Sequence, residues 1–344
     1  MTQQPISIIG AAVLYERMPS TPRHSYGVTL HASSYRPLLK VLDIDEWTFK
    51  RRIAVDGAIG GSGKINPRAL LERLLREGLN VQWEHALEKV EEGPSDMSLH
   101  LKGGRTLDSS VIIGVDGPHS NTRKSLSPNT PLEVLPFVAF NGKRRVKKAL
   151  WDSVYAPHMQ DSTMIELKRG DVAMNIQVNE KMGDLVSISW VYSRPAHNTS
   201  DPLYRPSRPV SGATDIPDEF YEEIGALEDL KQPFREVFDK EKLQMERVLS
   251  WLMRTVEVEL KELQELAKNG VFFMGDAVHA EPIIGGEGAN TAIRDGVSLA
   301  ECMSTNGVEG IPAWYDAQYP GWEASIRKSE KAIAEIHGDP KSSL

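Results

Sequence analysis

The segment GVFFMGDAVHAEPIIGGEGANTAIRDGVSLAECM, residues 270–303, constrains the fold more than any other part of the chain. Its short apolar run, Val271–Met274, reads as a buried strand, and it delivers Asp276 at its C-terminal end. Pro282 stiffens the loop after the strand. Gly285, Gly286 and Gly288 then remove side chains, so that backbone can approach a ligand closely before a helix begins near Asn290. A strand that ends on an acid and passes through a glycine-rich loop into a helix is an α/β unit, with its ligand side at the carboxyl end of the strand. The free N–H groups at Gly288, Ala289 and Asn290, backed by the helix dipole, are placed to face a phosphate or an anionic ring, and Asp276 to accept from ligand hydroxyls.

Upstream, INPRALLERLLREGLNVQW predicts a helix followed by a strand. Asn66 is the expected N-cap, Pro67 the first helical residue, Leu70, Leu71, Leu74 and Leu75 one face, and Gly78 the stop. In MSLHLKGGRTLDSSVIIGVDG the apolar residues alternate at Met97, Leu99 and Leu101, and the chain turns at Gly103 and Gly104. The continuous run Val111–Val115 is then expected to be buried on both faces. From about residue 134 to 194 the period is two, as in VAMNIQV and LVSISWVYSRP, which predicts antiparallel strands. The Pro- and Ser-rich stretch SRPAHNTSDPLYRPSRPVSGATDIPDE is expected as a long surface loop, with helices after it and an amphipathic helix closing the chain.

A net charge of -8 over 344 residues, with no long basic run, argues against nucleic acid as a partner. The single cysteine, Cys302, excludes an intrachain disulfide and a cysteine-built metal site, and it reads as a buried small hydrophobe. No metal site is expected. No apolar run approaches the roughly 18 residues of a membrane span, and MTQQPISIIGA has neither a basic lead nor a full apolar core, so a cytoplasmic location is expected.

SIIGAAVLYER, residues 7–17, poses a topological problem. Its two apolar halves look like the first and second parallel strands of a dinucleotide-binding unit, yet they adjoin, whereas parallel neighbours need a crossover of about a dozen residues. An acid that meets a ribose normally follows the first glycine by roughly 20 residues; Glu16 follows Gly10 by six. The glycine turn and helix between the strands are therefore expected to be absent.

GDAVHAEPIIGGEGAN followed by AIRDGVSLA resembles the second flavin motif of the single-component flavoprotein aromatic hydroxylases, the para-hydroxybenzoate hydroxylase class. IIGVDGPHSNTR resembles the same family's Asp-Gly motif, with Asp116, Gly117, Ser120 and Arg123 in place, and the Pro-rich middle is similar to fungal members that decorate secondary metabolites. Val115, Glu287 and Gly296 stand where Ala, Gln and Ala are common in that family.

The resemblance implies an α/β fold. A Rossmann-like FAD-binding domain, incomplete at its N-terminus (1–125 and 255–310), would be interleaved with an antiparallel β-sheet substrate domain (126–254) and followed by a C-terminal helical segment (311–344). It implies FAD as cofactor, with NAD(P)H and O2 as co-substrates and a small aromatic or polyketide-like substrate to be hydroxylated or to receive an inserted oxygen. Carried over by position, Asp276 would hold the ribityl chain. Gly286, Gly288, Ala289 and Asn290 would face the flavin, Arg68 would lie near the pyrophosphate, Glu16 would accept from the adenosine ribose, and Asp116 and Arg123 would serve FAD or NAD(P)H. On the sheet, Trp190, Tyr192 and Arg194 share a face, so Tyr192 and Arg194 are either groups that bind and polarise a phenolate or the end of an aromatic core stripe. His119 and His279 read as structural hydrogen bonders. The absent glycine turn supports an alternative, a flavin-poor relative acting as a binding protein or non-oxidative catalyst.

Overall fold

The computed structural model describes residues 13–20, 27–53, 65–93, 96–160, 162–284 and 287–337. Residues 7–11, expected as the first parallel strand, lie outside them, as do Ala12, Gly285 and Gly286.

From the N-terminal side the elements are β1 (Leu14–Glu16), β2 (Gly27–Thr29), α1 (Ala32–Leu42), α2 (Glu46–Ile53), β3 (Ile65–Pro67), α3 (Arg68–Leu75) and β4 (Val81–Trp83). An antiparallel sheet of β5 (Leu87–Glu92), β6 (Met97–Leu101) and β7 (Thr106–Ser109) precedes β8 (Ile112–Gly114) and α4 (Asn121–Leu126). The long strand β9 (Glu133–Lys147) leads through the short α5 (Lys148–Leu150) and α6 (Ala156–Met159) to β10 (Met164–Arg169), β11 (Val172–Met182) and β12 (Leu185–Pro195). Then come α7 (Asp218–Gly225), α8 (Phe234–Val237), α9 (Lys240–Gln244), β13 (Val248–Thr255), α10 (Leu260–Lys268), β14 (Val271–Phe273), α11 (Gly288–Asn306) and α12 (Ile311–His337). No helix among the described residues is long and apolar enough to cross a membrane.

Two kinds of sheet result. Among the described residues the parallel pairing consists of two separate pairs, β1 with β4 and β8 with β14. The period-two region forms one antiparallel sheet in the order β10-β11-β12-β9-β13. Two local expectations are corrected. Asn66 and Pro67 are not the start of a helix: β3 pairs antiparallel with β2, and the helix begins at Arg68, because hydrogen bonding to a distant strand overrides the local capping signal. Within Val111–Val115 only the central three residues form a strand, and Val111 and Val115 are exposed, since β8 has β14 as its single partner among the described residues.

The two faces of that sheet have different neighbours. Val138, Phe140, Met174, Ile176, Val178, Ile188, Trp190 and Tyr192 point to one side and pack with Phe220 and Ile224 of α7 and Val237 of α8. Trp190 lies opposite Gly142, where an added Cβ would come within 2.2 Å of the indole, so only glycine leaves room for the ring. Residues of opposite parity, Phe137 and Ala139 of β9 with Trp251 and Met253 of β13, meet Ile333 of α12 and Ile284. Through Trp314, Tyr315 and Trp322, α12 also packs against Phe272 and Phe273 of β14, so it contributes to both cores.

Arg194 ends the first face. It is buried and donates to Asp201 at 2.5 and 3.2 Å and to Glu223 of α7 at 2.6 and 2.8 Å. Burial alone would lower its pKa, but the bonds to Glu223 and Asp201 raise it above the ordinary arginine value. The Tyr192 hydroxyl donates to the same Glu223, and burial followed by that carboxylate raises the phenol's pKa. Asp201 also accepts from the N–H groups of His197 and Leu203, so Asp201 and Leu203 are buried anchors of a Pro-rich loop that otherwise lies largely at the surface, as expected. At the far end of α12, His337 Nδ1 donates to the Asp171 carbonyl at 2.9 Å, and Nε2 lies 3.1 Å from the Ser193 hydroxyl.

Two outcomes are expected. Removing one partner of a buried ion pair strands the others, so Arg194→Ala should cost about 3–5 kcal/mol in thermal or denaturant unfolding; an unchanged midpoint would show that the cluster is not structural. Burial, chiefly, holds the His337 pKa below the ordinary histidine value. The unfolded chain therefore binds this proton more readily than the folded one. The stability involved is complete above about pH 6.5 and is lost as pH falls through the lower folded-state value. His337→Asn should accordingly flatten the fall in melting temperature between about pH 7.5 and about pH 5, and parallel curves for the two proteins would refute this.

Candidate functional site

The exit of β14 meets the start of α11. Asp276, half-buried, stands two residues beyond Met274, and a Cβ built at Gly288 would lie 3.4 Å from its Oδ1, so the missing side chain brings the helix start up to the carboxylate. The first turn of α11 comprises Gly288, Ala289 and Asn290. Thr291 makes the first bond to a preceding carbonyl, that of Glu287 at 2.9 Å, so the earlier N–H groups have no acceptor within the helix. An acid beside free backbone donors can bind a ligand that carries both hydroxyls and negative charge.

A carboxylate that sequence reasoning did not single out holds this junction. Asp295 is buried in α11 and accepts from the Gly275 N–H at 3.3 Å, from His279 Nε2 at 2.5 Å and from Trp322 Nε1 of α12 at 2.9 Å. The His279 ring stacks on Trp322 with centroids 4.6 Å apart, in keeping with its expected structural role. The signal was present in the i+16 spacing of His279 and Asp295, but nothing in a linear reading says that a helix folds back to that distance.

Asp116 and Arg123 meet the same junction from β8. The Asp116 carboxylate accepts from the N–H groups of Asn121 and Thr122 at 2.7 and 3.1 Å, from the Thr122 hydroxyl, and from the Ser120 hydroxyl, so it caps α4. Arg123 is buried and donates to the Pro118 carbonyl at 2.5 Å and the Ala277 carbonyl at 2.6 Å, riveting the Asp116 turn to the Asp276 turn. His119 sits on this turn. Burial, then the cations Arg254, Lys124, Arg123 and Arg17, push its pKa down to about 4.

Asn290 is buried, and its side chain is occupied: Oδ1 accepts from the His31 N–H at 2.9 Å and Nδ2 donates to the Thr29 carbonyl at 3.0 Å, bracing β2 against α11. Glu16 ends β1, which runs parallel to β4, and accepts from the Met18 N–H at 2.8 Å. Arg68 begins α3, directly after β3; its side chain lies outside the described residues, as does Gly286. Tyr192 and Arg194 are not brought to the junction: they lie on the face of the large sheet turned toward α7, and their polar atoms are occupied by Glu223 and Asp201. The loop residue Ile284 seats on the opposite face. Among the described residues no group of three or more His, Cys, Asp or Glu is arranged to hold a metal ion.

These features have counterparts in known proteins. The chain is 28% identical to the FAD-dependent monooxygenase adaC of Aspergillus niger, over 92% of this chain and 86% of that protein. It is also 28% identical to the FAD-dependent monooxygenase nscC of Neosartorya fischeri, over 94% and 89% of the two chains. Its fold matches 2,6-dihydroxypyridine-3-hydroxylase from Arthrobacter nicotinovorans with a TM-score of 0.70 at 14% identity, covering 94% of this chain and 86% of that one. It matches the tetracycline destructase Tet(55) with a TM-score of 0.68 at 15% identity, covering 95% and 82%. The model of the FAD binding domain family matches residues 65–306, a span that takes in the Asp116 turn, the large sheet, the Asp276 turn and α11, and the chain therefore belongs to that family.

Proposed function

We propose that this protein is an FAD-dependent monooxygenase that uses NAD(P)H and O2 to hydroxylate, or insert oxygen into, a small aromatic or polyketide-like substrate in secondary metabolism. The observation that carries the reading is the Asp276 carboxylate against the open first turn of α11, with Gly288 offering no side chain between them. These residues fit FAD. Asp276 would accept from ribityl hydroxyls, and the N–H groups of Gly288 and Ala289 would face the electron-rich edge of the ring. When bound, the flavin supplies the redox chemistry with NAD(P)H and O2, and the protein contributes position, charge and exclusion of water. The names of adaC and nscC support the same reaction class.

An anionic co-substrate has a matching surface. Arg17, Arg208 and Arg254 form no ion pair with a carboxylate among the described residues, and burial lowers the pKa of Arg208 and of Arg254, the two repelling each other. With His119 nearby, this cationic corner at the end of β13 suits the phosphates of NAD(P)H.

For the substrate, the face of the sheet that receives Ile284 is the one turned toward the flavin loop. Strand alternation puts Asn175, Gln177 and Ser189 on that face, opposite in parity to Met174, Ile176 and Trp190, and β11 packs against β2 and β3 there. We assign substrate contact to this polar face, and the Tyr192 and Arg194 pair to architecture.

Titration of FAD into the flavin-free chain tests the cofactor reading. Asp276→Ala should weaken binding by about 1.5–3 kcal/mol, roughly ten- to 150-fold, and an unchanged affinity would remove Asp276 from the site. Gln177→Leu should lower substrate-stimulated NAD(P)H oxidation with flavin content intact, whereas Tyr192→Phe should lower the melting temperature with turnover preserved. The reverse pattern would restore Tyr192 to the substrate side.

A further inference from the structure

The C-terminal helix reaches the start of α11 through one buried side chain. Glu281 lies in the turn between β14 and α11 and is 9% exposed. Its Oε2 accepts from the Glu287 N–H at 2.7 Å and the Ser329 hydroxyl at 2.6 Å, and its Oε1 from the Ser325 hydroxyl at 2.8 Å and the Thr291 hydroxyl at 3.2 Å. Four donors from two helices and the residue preceding α11 converge on one carboxyl group. Ser325 and Ser329 are one helical turn apart on α12, and Ser329 is fully buried, so their hydroxyls can approach as a pair. On its outer side Glu287 is held by His31 Nε2 at 3.0 Å and by Lys328 Nζ at 3.8 Å. These residues, with Ser33, Arg294 and Ser325, line a cleft of about 460 Å³ between α1, α11 and α12.

We propose that Glu281 is a positioning residue for the flavin site. It fixes where the first turn of α11 begins relative to Asp276, and it does so from α12, whose Ser325 and Ser329 thereby set the geometry of a cofactor they do not touch. The proposal rests on the reading of that first turn as flavin-facing. The physical reason is the sensitivity of backbone donors to direction. The N–H groups of Gly288 and Ala289 have no rotamers of their own, so their aim is decided by where Glu287 and Thr291 are held. Glu281 grips Glu287 through its backbone and Thr291 through its side chain, bracketing the turn from both ends. A carboxyl held by two serines of a separate helix keeps one rotamer, whereas the same carboxyl released from α12 is free to turn and the helix start drifts with it.

The test is FAD titration into the flavin-free full chain, read by quenching of flavin fluorescence, by the visible circular dichroism of the bound flavin, and by the melting temperature of the flavin-free chain. The double variant Ser325→Ala/Ser329→Ala should weaken FAD binding about tenfold or more and change the flavin dichroism. Ser325→Thr, which keeps the hydroxyl, should bind within about twofold of the wild type. Should the double variant fail to fold, Glu281→Gln, which preserves shape but cannot accept all four donors, is read the same way with the same expected direction. Gly288→Val separates the proposal from the reading beneath it. If Gly288→Val loses FAD while the double variant binds it normally with unchanged dichroism, the Glu281 role is overturned and the flavin-facing turn stands. If Gly288→Val also binds normally, the reading of the turn falls and the proposal with it.

Discussion

Asp295 holds this molecule's functional half together. A carboxylate buried in a helix is costly unless donors surround it, and the donors here come from the exit of β14, from the turn after it and from α12. Satisfying that one group therefore ties the β14 exit, the turn after it and α12 to α11. The strand exit that carries Asp276 cannot shift without breaking the Gly275 contact. The His279 ring cannot turn without leaving Asp295 and Trp322, and α12 is tied down by its indole. Arg123 adds the fourth connection, from the Asp116 turn to the Ala277 carbonyl. Asp295, the His279 Nε2 and Arg123 are thus paired within the junction, and the N–H groups of the first turn of α11 have no acceptor inside the helix.

The large sheet divides its labour by parity. Because successive side chains alternate, β12 carries a buried ion cluster on one face and Ser187, Ser189 and Ser193 on the other. Arg194 and Tyr192 belong to the first face, where Glu223 and Asp201 compensate them in the interior. The opposite face meets Ile284 and α12, and it carries Asn175, Gln177 and Ser189.

Short-range features of this chain were legible without coordinates. The strand, acid and helix of residues 270–303 succeed one another within a few turns, so local pattern describes them correctly, and the period-two stretch is the antiparallel sheet it suggested. The misreadings share a cause. Asn66 looked like a helix cap because its neighbours favour one, but β2 supplies a strand partner from 38 residues upstream. Val111 and Val115 looked buried because they are apolar, but a strand with one neighbour among the described residues covers only its centre.

The sequence by itself determined which chemistry is possible here: an acid at a strand end, glycines before a helix, an Asp-Gly turn, and hence membership in a family that binds FAD. Those residues act together across short separations, where the backbone leaves few alternatives. Tertiary structure alone decided the rest: which face of the sheet meets the loop, that Tyr192 and Arg194 are paired inside rather than presented, and that α12 reaches Glu281 and Asp295. The reason is that a buried polar group must find its partners wherever packing brings them, and the packing of remote elements is not encoded in any local spacing.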